Sequence, residues 1–410
     1  MKFFYHKREI AFLCVILSFF AISNSWADTP IRIYIDADRT GVRESGISIE
    51  QGIRTALSEV NNKLNGREVE LIILDHRGNS ARSRLHLEKF LKDENALAVF
   101  AGLHSPPLLA NREFIHQNGI LTLVPWAAAG PITRYPSKEN WIFRLSVDDT
   151  KAGYVIAAHA IIKRNFQKPH LLLEQTGWGT SNHKTMTRAL KEQGMAEPDV
   201  IWFNWGLKEA EARIMLRNIA KSGSDVIFLV ANAPEGKEIV KAMFSLPEEY
   251  RLAIMSHWGI TGGDFPKAVG PAILKKLNLE FIQTKFSFLE MKNNPFAQNV
   301  FNQAKLLFLD VIRSPRDIKA PTGFIHAYDL TRLLISAVNQ AGLTGDMKKD
   351  RAAIRHALEH LEKPVEGLIK TYLTPFLPYD ETRPDAHEAL GIADYTMARY
   401  GAEGEIILEK

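Results

Sequence analysis

The stretch IRIYIDADRTGVRESGISIEQGIRTALSEVNN, Ile31 to Asn62, decides the fold. IRIYI (31–35) is a short apolar, β-branched run, and SIEQGIRTALSEVNN (48–62) has helical periodicity. The same unit recurs along the chain. Strands are read at VELIILD (69–75), LAVFA (97–101), LTLV (121–124), WIFRL (141–145), HLLLE (170–174), DVIWF (199–203), VIFLV (226–230) and LAIM (252–255). Helix-period stretches such as ARSRLHLEKFL and EARIMLRNIAKSG lie between them. Near-continuous apolar strands separated by helices mean a parallel sheet covered on both faces, so the fold class is α/β, doubly wound. The last third is mostly helical and ends in short extended pieces near LIKTYL (368–373), YTMARY (395–400) and EIILE (405–409).

Composition bounds what the chain can do. With 46% hydrophobic and 24% charged residues in 410, it can bury a large core, and two domains are the default. Lys2, Lys7 and Arg8 precede the apolar run Ile10–Ala21, and Ser25 and Ala27 supply the small residues of a cleavage site. Residues 1–27 therefore read as a secretory signal peptide, and the rest as an exported chain in the periplasm. Cys14 is the sole cysteine and falls in that segment, which leaves no disulfide, thiol nucleophile or thiolate metal site afterwards. The net charge of +4 falls to +2 without residues 1–27, too little to argue for nucleic acid or an anionic membrane.

In open α/β sheets, ligands bind beyond the carboxyl ends of the strands. The segments leaving those ends are LDHRGN, GLHSPP, VPWAAAG, EQTGWGTSN, VANAPEG and MSHWGITGG. Trp126, Trp178 and Trp258 all fall in them. Ser105 before Pro106 and Pro107 reads as a helix N-cap, compatible with holding a carboxylate. Asp75 and His76 read as turn braces, and Trp202 and Trp205 as core.

Enzyme signatures fail. No GxSxG, no GxGxxG after a strand and no GxxxxGK[ST] is present, and APEGKE lacks the hydroxyl residue. HALEH, His356 to His360, fits H-x-x-E-H, but its histidines lie opposite the apolar face of Ile354, Leu358 and Leu361. It reads as a solvated helix face, so no catalytic residue, metal or cofactor is expected.

Taken in order, IRIYIDADRTG, SGISIEQGIRTALSEVNN, LIILDHRGNS, VFAGLHS, NGILTLVPWAAAGPIT, WIFRL, TGWG, SDVIFLVANAPEG and AYDLTRLLISAV resemble the type I periplasmic solute-binding proteins. The likeness is to the branched-chain amino acid and amide-binding branch, and it weakens after about residue 340. It implies two Rossmann-like lobes joined by three hinge crossings: 28–146 plus 284–362, and 147–283 plus 363–410. The crossings are expected near 146–150, 284–296 and 362–376. The implied partners are a small-molecule solute and an ABC permease of the inner membrane, with a membrane sensor kinase as the alternative reader of the closed state. A monomer is expected.

Carried over by position, Ser105 falls where such binders offer a hydroxyl to a carboxylate, and Trp126, Ala127 and Ala128 where backbone amides do so. Ala128 lacks the hydroxyl usual there. Trp178 takes the aromatic position of the second lobe, and Asn232 another contact, with His104 and His257 alongside. Trp258 stands where amino-acid binders resemble one another in carrying an acid for the ammonium. A buried unpaired ammonium costs several kcal/mol, so indole there argues for a planar solute rather than an ordinary amino acid. A hydrolase built on His104, Ser105 and His257 is the least favoured reading, for want of a triad.

Overall fold

A computed structural model describes residues 29–137 and 139–409. The signal-peptide reading lies outside the described residues. No helix among those described is long and apolar enough to cross a membrane.

The first sheet holds β1 (Ile31–Ala37), β2 (Lys63–Leu64), β3 (Arg67–Asp75), β4 (Ala96–Ala101), β5 (Thr122–Val124) and β6 (Ile142–Arg144), in the order β2-β3-β1-β4-β5-β6. Apart from the β2 hairpin, every pairing is parallel. The second sheet holds β7 (Pro169–Glu174), β8 (Asp199–Phe203), β9 (Val226–Val230), β10 (Ala253–Ser256) and β11 (Leu279–Thr284). A small ribbon pairs β12 (Val365–Glu366) with β13 (Thr371–Tyr372). Two antiparallel strands, β14 (Tyr395–Tyr400) and β15 (Ile406–Leu408), then extend the second sheet at β11. Its order is β15-β14-β11-β10-β9-β7-β8.

The parallel strands are buried on both faces, as their unbroken apolar sequences require. The first five helices are α1 (Arg43–Ser58), α2 (Ser80–Leu91), α3 (Ser105–Gln117), α4 (Asp149–Ala158) and α5 (Gly177–Glu192). The others are α6 (Glu209–Lys221), α7 (Ala233–Ser245), α8 (Phe265–Val269), α9 (Pro271–Leu274), α10 (Pro295–Leu307), α11 (Pro321–Ala341) and α12 (Met347–Glu359). The long α11 lies against α1, and Gly52 makes this possible: a Cβ there would stand 2.3 Å from the Phe324 carbonyl oxygen.

The strand β11, LEFIQT, is absent from the sequence reading. Glu280, Gln283 and Thr284 break its apolar pattern, yet all three are buried. Partners distant in sequence allow it: His159 Nε2 lies 2.6 Å from Glu280, Gln283 bonds Thr322, and Thr284 bonds His326.

The third crossing also differs from expectation, lying at 389–394 rather than 362–376. The segment up to residue 388, expected with the second lobe, packs on the first. Asp329 of α11 accepts from the backbone N–H of Leu368 and Ile369 and from the Tyr372 hydroxyl. His387 and Glu388 lie against β6, with Arg144 N–H donating to the His387 carbonyl. Glu388 there closes a buried ion cluster with Arg144, Arg134 and Lys151. Burial alone would raise its carboxyl, but those three cations hold it well below the usual range.

Candidate functional site

The carboxyl ends of β4, β5, β7, β9 and β10 converge between the two sheets, where each strand order reverses. Their loops bring together most of the predicted residues. Ser105, Trp126, Ala128, Trp178, Asn232 and Trp258, with Leu103 and Gly259, enclose a cavity of about 10 Å³. That is room for about one water, so the lobes stand closed on each other. Ala127, between two lining residues in sequence, is itself buried and not among those that line the cavity. None of the cavity-lining residues carries a charge.

The indoles form the main surface. Trp126 and Trp258 meet edge to face with centroids 6.4 Å apart, and the Trp178 and His257 rings do so at 5.1 Å. Gly259 is required here, because a Cβ would lie 2.4 Å from the Ala231 carbonyl oxygen and 2.6 Å from the Trp178 ring. Behind Trp258 lies His326, at a centroid distance of 5.0 Å.

Polar atoms around the cavity divide into satisfied and orphaned. Trp178 Nε1 is satisfied: it donates to Asp149 Oδ1 at 3.0 Å, and Asn182 donates to the same oxygen at 2.8 Å. Asn232 donates to Glu174 at 2.9 Å. His257 Nδ1 accepts from the Trp258 backbone N–H, which puts the proton of a neutral ring on Nε2. That nitrogen is 3.3 Å from Asp149 Oδ1 but off the line of a hydrogen bond, so it has no partner. Trp126 Nε1 is likewise a buried donor without a partner, while His104 Nδ1, whose ring proton sits on Nε2 facing Asp38, is a buried acceptor without one. Orphaned buried donors are rare and need an explanation.

The structure alters some sequence readings. Ser105 is the first helical residue of α3 rather than its N-cap, which is His104. Its Oγ instead accepts from the Ala129 backbone N–H at 3.2 Å, tying two cleft loops together. Trp205 is not core: it is 41% exposed and lies against His104 of the opposite lobe, centroids 5.3 Å apart. Asp75 and His76 do brace their turn, accepting from the backbone N–H of Arg77 and Gly78.

Three carboxylates escaped the sequence reading. Asp38 lies 3.1 Å from His104 Nε2. Burial would raise its carboxyl, but hydrogen bonds from His104, Gly41 and Thr40 bring it down to about 2. Glu174, fully buried, is pushed above its ordinary range by burial, against the pull of Trp205 and His104. Asp149 gathers the Trp178 and Asn182 donors. A sequence gives no sign that such acids are buried, because the side chains that bring them into the cleft wall, His104, Trp178 and Asn232, lie 29 to 66 residues away.

A larger cavity, about 390 Å³, lies along the 285–294 crossing, behind Thr261 and Thr322, with Phe286, Phe288, Ile318 and Ile325 in its walls. We place the candidate site at the smaller one, because five strand ends and the orphaned donors meet there.

The family described as periplasmic binding protein matches residues 30–258. A comparison with curated proteins gives no match. Among solved structures, a periplasmic binding protein type 1 from Bordetella pertussis Tohama I is similar, with a TM-score of 0.75 and 17% identity, over 93% of this chain and 100% of that one. A leucine-binding protein from Thermotoga maritima has a TM-score of 0.73 and 17% identity, over 93% and 98% of the two chains. A solute-binding protein of an ABC transporter from R. palustris, in complex with benzoate, has a TM-score of 0.75 and 16% identity, over 93% and 95%. At these identities the likeness is one of fold.

Proposed function

The chain belongs to the periplasmic binding proteins, and we propose that it captures a small planar or aromatic solute between its lobes and hands it to an ABC permease. The observation that carries this reading is the composition of the cavity wall: three indoles, no carboxylate, and a buried Trp126 N–H without a partner. An aromatic ring would lie on the indole faces while its polar substituent accepts from Trp126 Nε1. An α-amino acid would bury its ammonium with no counter-charge on the wall, since Asp149 and Glu174 are engaged by Trp178, Asn182 and Asn232. The benzoate complex of the R. palustris protein is an example of such a solute on this fold.

His104, Ser105, Trp126, Ala127, Ala128, Trp178, Asn232, His257 and Trp258 are the proposed contact set. A benzene-sized guest needs a cavity on the order of 150 Å³. Entry therefore requires the lobes to part about their three crossings, and the guest selects the closed state by touching both. Export through residues 1–27, action in the periplasm and delivery as a monomer complete the proposal.

A thermal-shift series on the chain without residues 1–27 tests it, with benzoate, 4-hydroxybenzoate and leucine as probes. Stabilisation by an aromatic acid, about 2.7 kcal/mol at a hundred times its Kd, is expected. Stabilisation by leucine with no response to either aromatic acid would overturn it.

A further inference from the structure

The carboxyl end of α12 carries a polar cluster that the cleft does not use. His356, Glu359 and His360 each offer one donor atom, and the three atoms lie within 4.8 Å of one another. Spacings of three and four residues put them on one side of the helix. Both histidines are exposed, with ring centroids 4.2 Å apart.

His360 Nδ1 lies 2.9 Å from the His356 carbonyl oxygen. A carbonyl only accepts, so the ring proton sits on Nδ1 and the Nε2 lone pair stays available. Metal-binding histidines are oriented by this kind of bond. Glu359 is buried and held in place, its Oε1 accepting from Arg355 at 2.8 Å and His387 at 3.1 Å.

We infer that His356, Glu359 and His360 form a surface binding site for one divalent transition-metal ion of the zinc class. Two imidazole nitrogens and one carboxylate oxygen suit zinc, copper or nickel better than magnesium or calcium. Bonds of about 2.0–2.2 Å set tetrahedral donors roughly 3.3–3.5 Å apart. Donor pairs as far apart as 4.8 Å thus need to close by about 1.3–1.5 Å, which small rotations of the exposed histidine side chains supply. Water completes the shell. With both histidines exposed, the site is a binding site on the helix surface.

Among the described residues a second cluster, His159 with Glu280 and Glu409, is already occupied by its own charges. Both His159 nitrogens face carboxylates, at 2.6 and 3.3 Å, and Arg164 and Lys163 pair with the same acids. With both ring nitrogens engaged, His159 has no lone pair to offer an ion.

Titration of zinc chloride into the chain without residues 1–27, followed by calorimetry, tests the inference. One saturable equivalent is expected, lost in H356A and in H360A and weakened in Glu359→Gln, with every variant keeping the parent's circular dichroism. Copper(II) in place of zinc should show nitrogen hyperfine coupling from two imidazoles in its electron spin resonance spectrum. No saturable binding, or one equivalent that persists in an H356A/H360A double variant, would overturn it. Solute binding in the cleft is read separately, so either proposal can fail alone.

Discussion

Trp205 and His104 lie ring against ring across the gap between the lobes, centroids 5.3 Å apart, while His104 Nε2 rests 3.1 Å from Asp38. Each residue follows a strand of a different sheet, so their contact exists only when the lobes are closed. An aromatic pair contributes about 0.5–1.5 kcal/mol beyond its buried area. Trp205→Ala is therefore expected to weaken solute binding by about 2- to 12-fold, mainly through faster release. Because Trp205 also pulls on the buried Glu174 carboxylate, the unfolding midpoint should fall as well. Unchanged release rates would mean that the contact does not hold the closed state.

Trp126 separates ring from donor. Its Nε1 is buried and unpartnered beside the cavity. Trp126→Phe keeps an apolar ring and removes the N–H. Without solute the variant should be no less stable than the parent, apart from about 1 kcal/mol for the smaller ring. With solute it should bind about tenfold more weakly, the worth of one hydrogen bond. Equal affinities by calorimetry would show that the solute makes no use of this donor.

Trp178 should behave differently, because its N–H is an internal strut. Trp178→Phe leaves Asp149 buried with one donor fewer, at a cost of about 1–3 kcal/mol even without solute. A denaturant series reads this directly, and an unchanged midpoint would remove Asp149 as a partner.

The strand ends were legible in the sequence because apolar runs such as VIFLV and DVIWF stop abruptly at polar loops. Those loops carried the three indoles, whose size and lone N–H mark them without any contact information. What stayed illegible depends on partners far along the chain. The strand β11 hides because Glu280 and Thr284 read as surface residues until His159 and His326 are placed beside them. Trp205 read as core because hydrophobicity says nothing about which lobe a ring faces. The segment 365–388 read as second-lobe because its tether, Asp329, lies about 40 residues upstream.

The crossing network gives a further expectation. Glu388 accepts from Arg144 at 2.8 Å and receives Lys151 at 2.8 Å, with Arg144 wholly buried. Removing one member of a buried ion cluster strands the other charge. Glu388→Ala should destabilise the chain by about 3–5 kcal/mol, read as a lowered denaturant midpoint. A loss below about 1 kcal/mol would mean that Asp148 and water suffice for Arg144.

Acid sensitivity follows from His326, which is sealed behind Trp258. Its Nδ1–H donates to the Pro125 carbonyl at 3.0 Å and its Nε2 faces the Thr284 hydroxyl at 3.1 Å. Burial pushes its pKa down to about 3, against the pull of that carbonyl. An unfolded histidine titrates near 6.5, so between about pH 6.5 and 3 the unfolded chain binds a proton that the folded one refuses. The stability from this group is complete above about pH 6.5 and drains as pH falls, by about 1.4 kcal/mol per unit. Buried acids with raised values, such as Asp329 at about 6, work in the opposite direction, so the whole-protein curve mixes signs. A difference measurement isolates the histidine. Going from pH 7.5 to 5, the parent should lose about 2 kcal/mol more than His326→Gln, measured by denaturant unfolding at both pH values. Identical losses in the two proteins would show that His326 takes up its proton without unfolding.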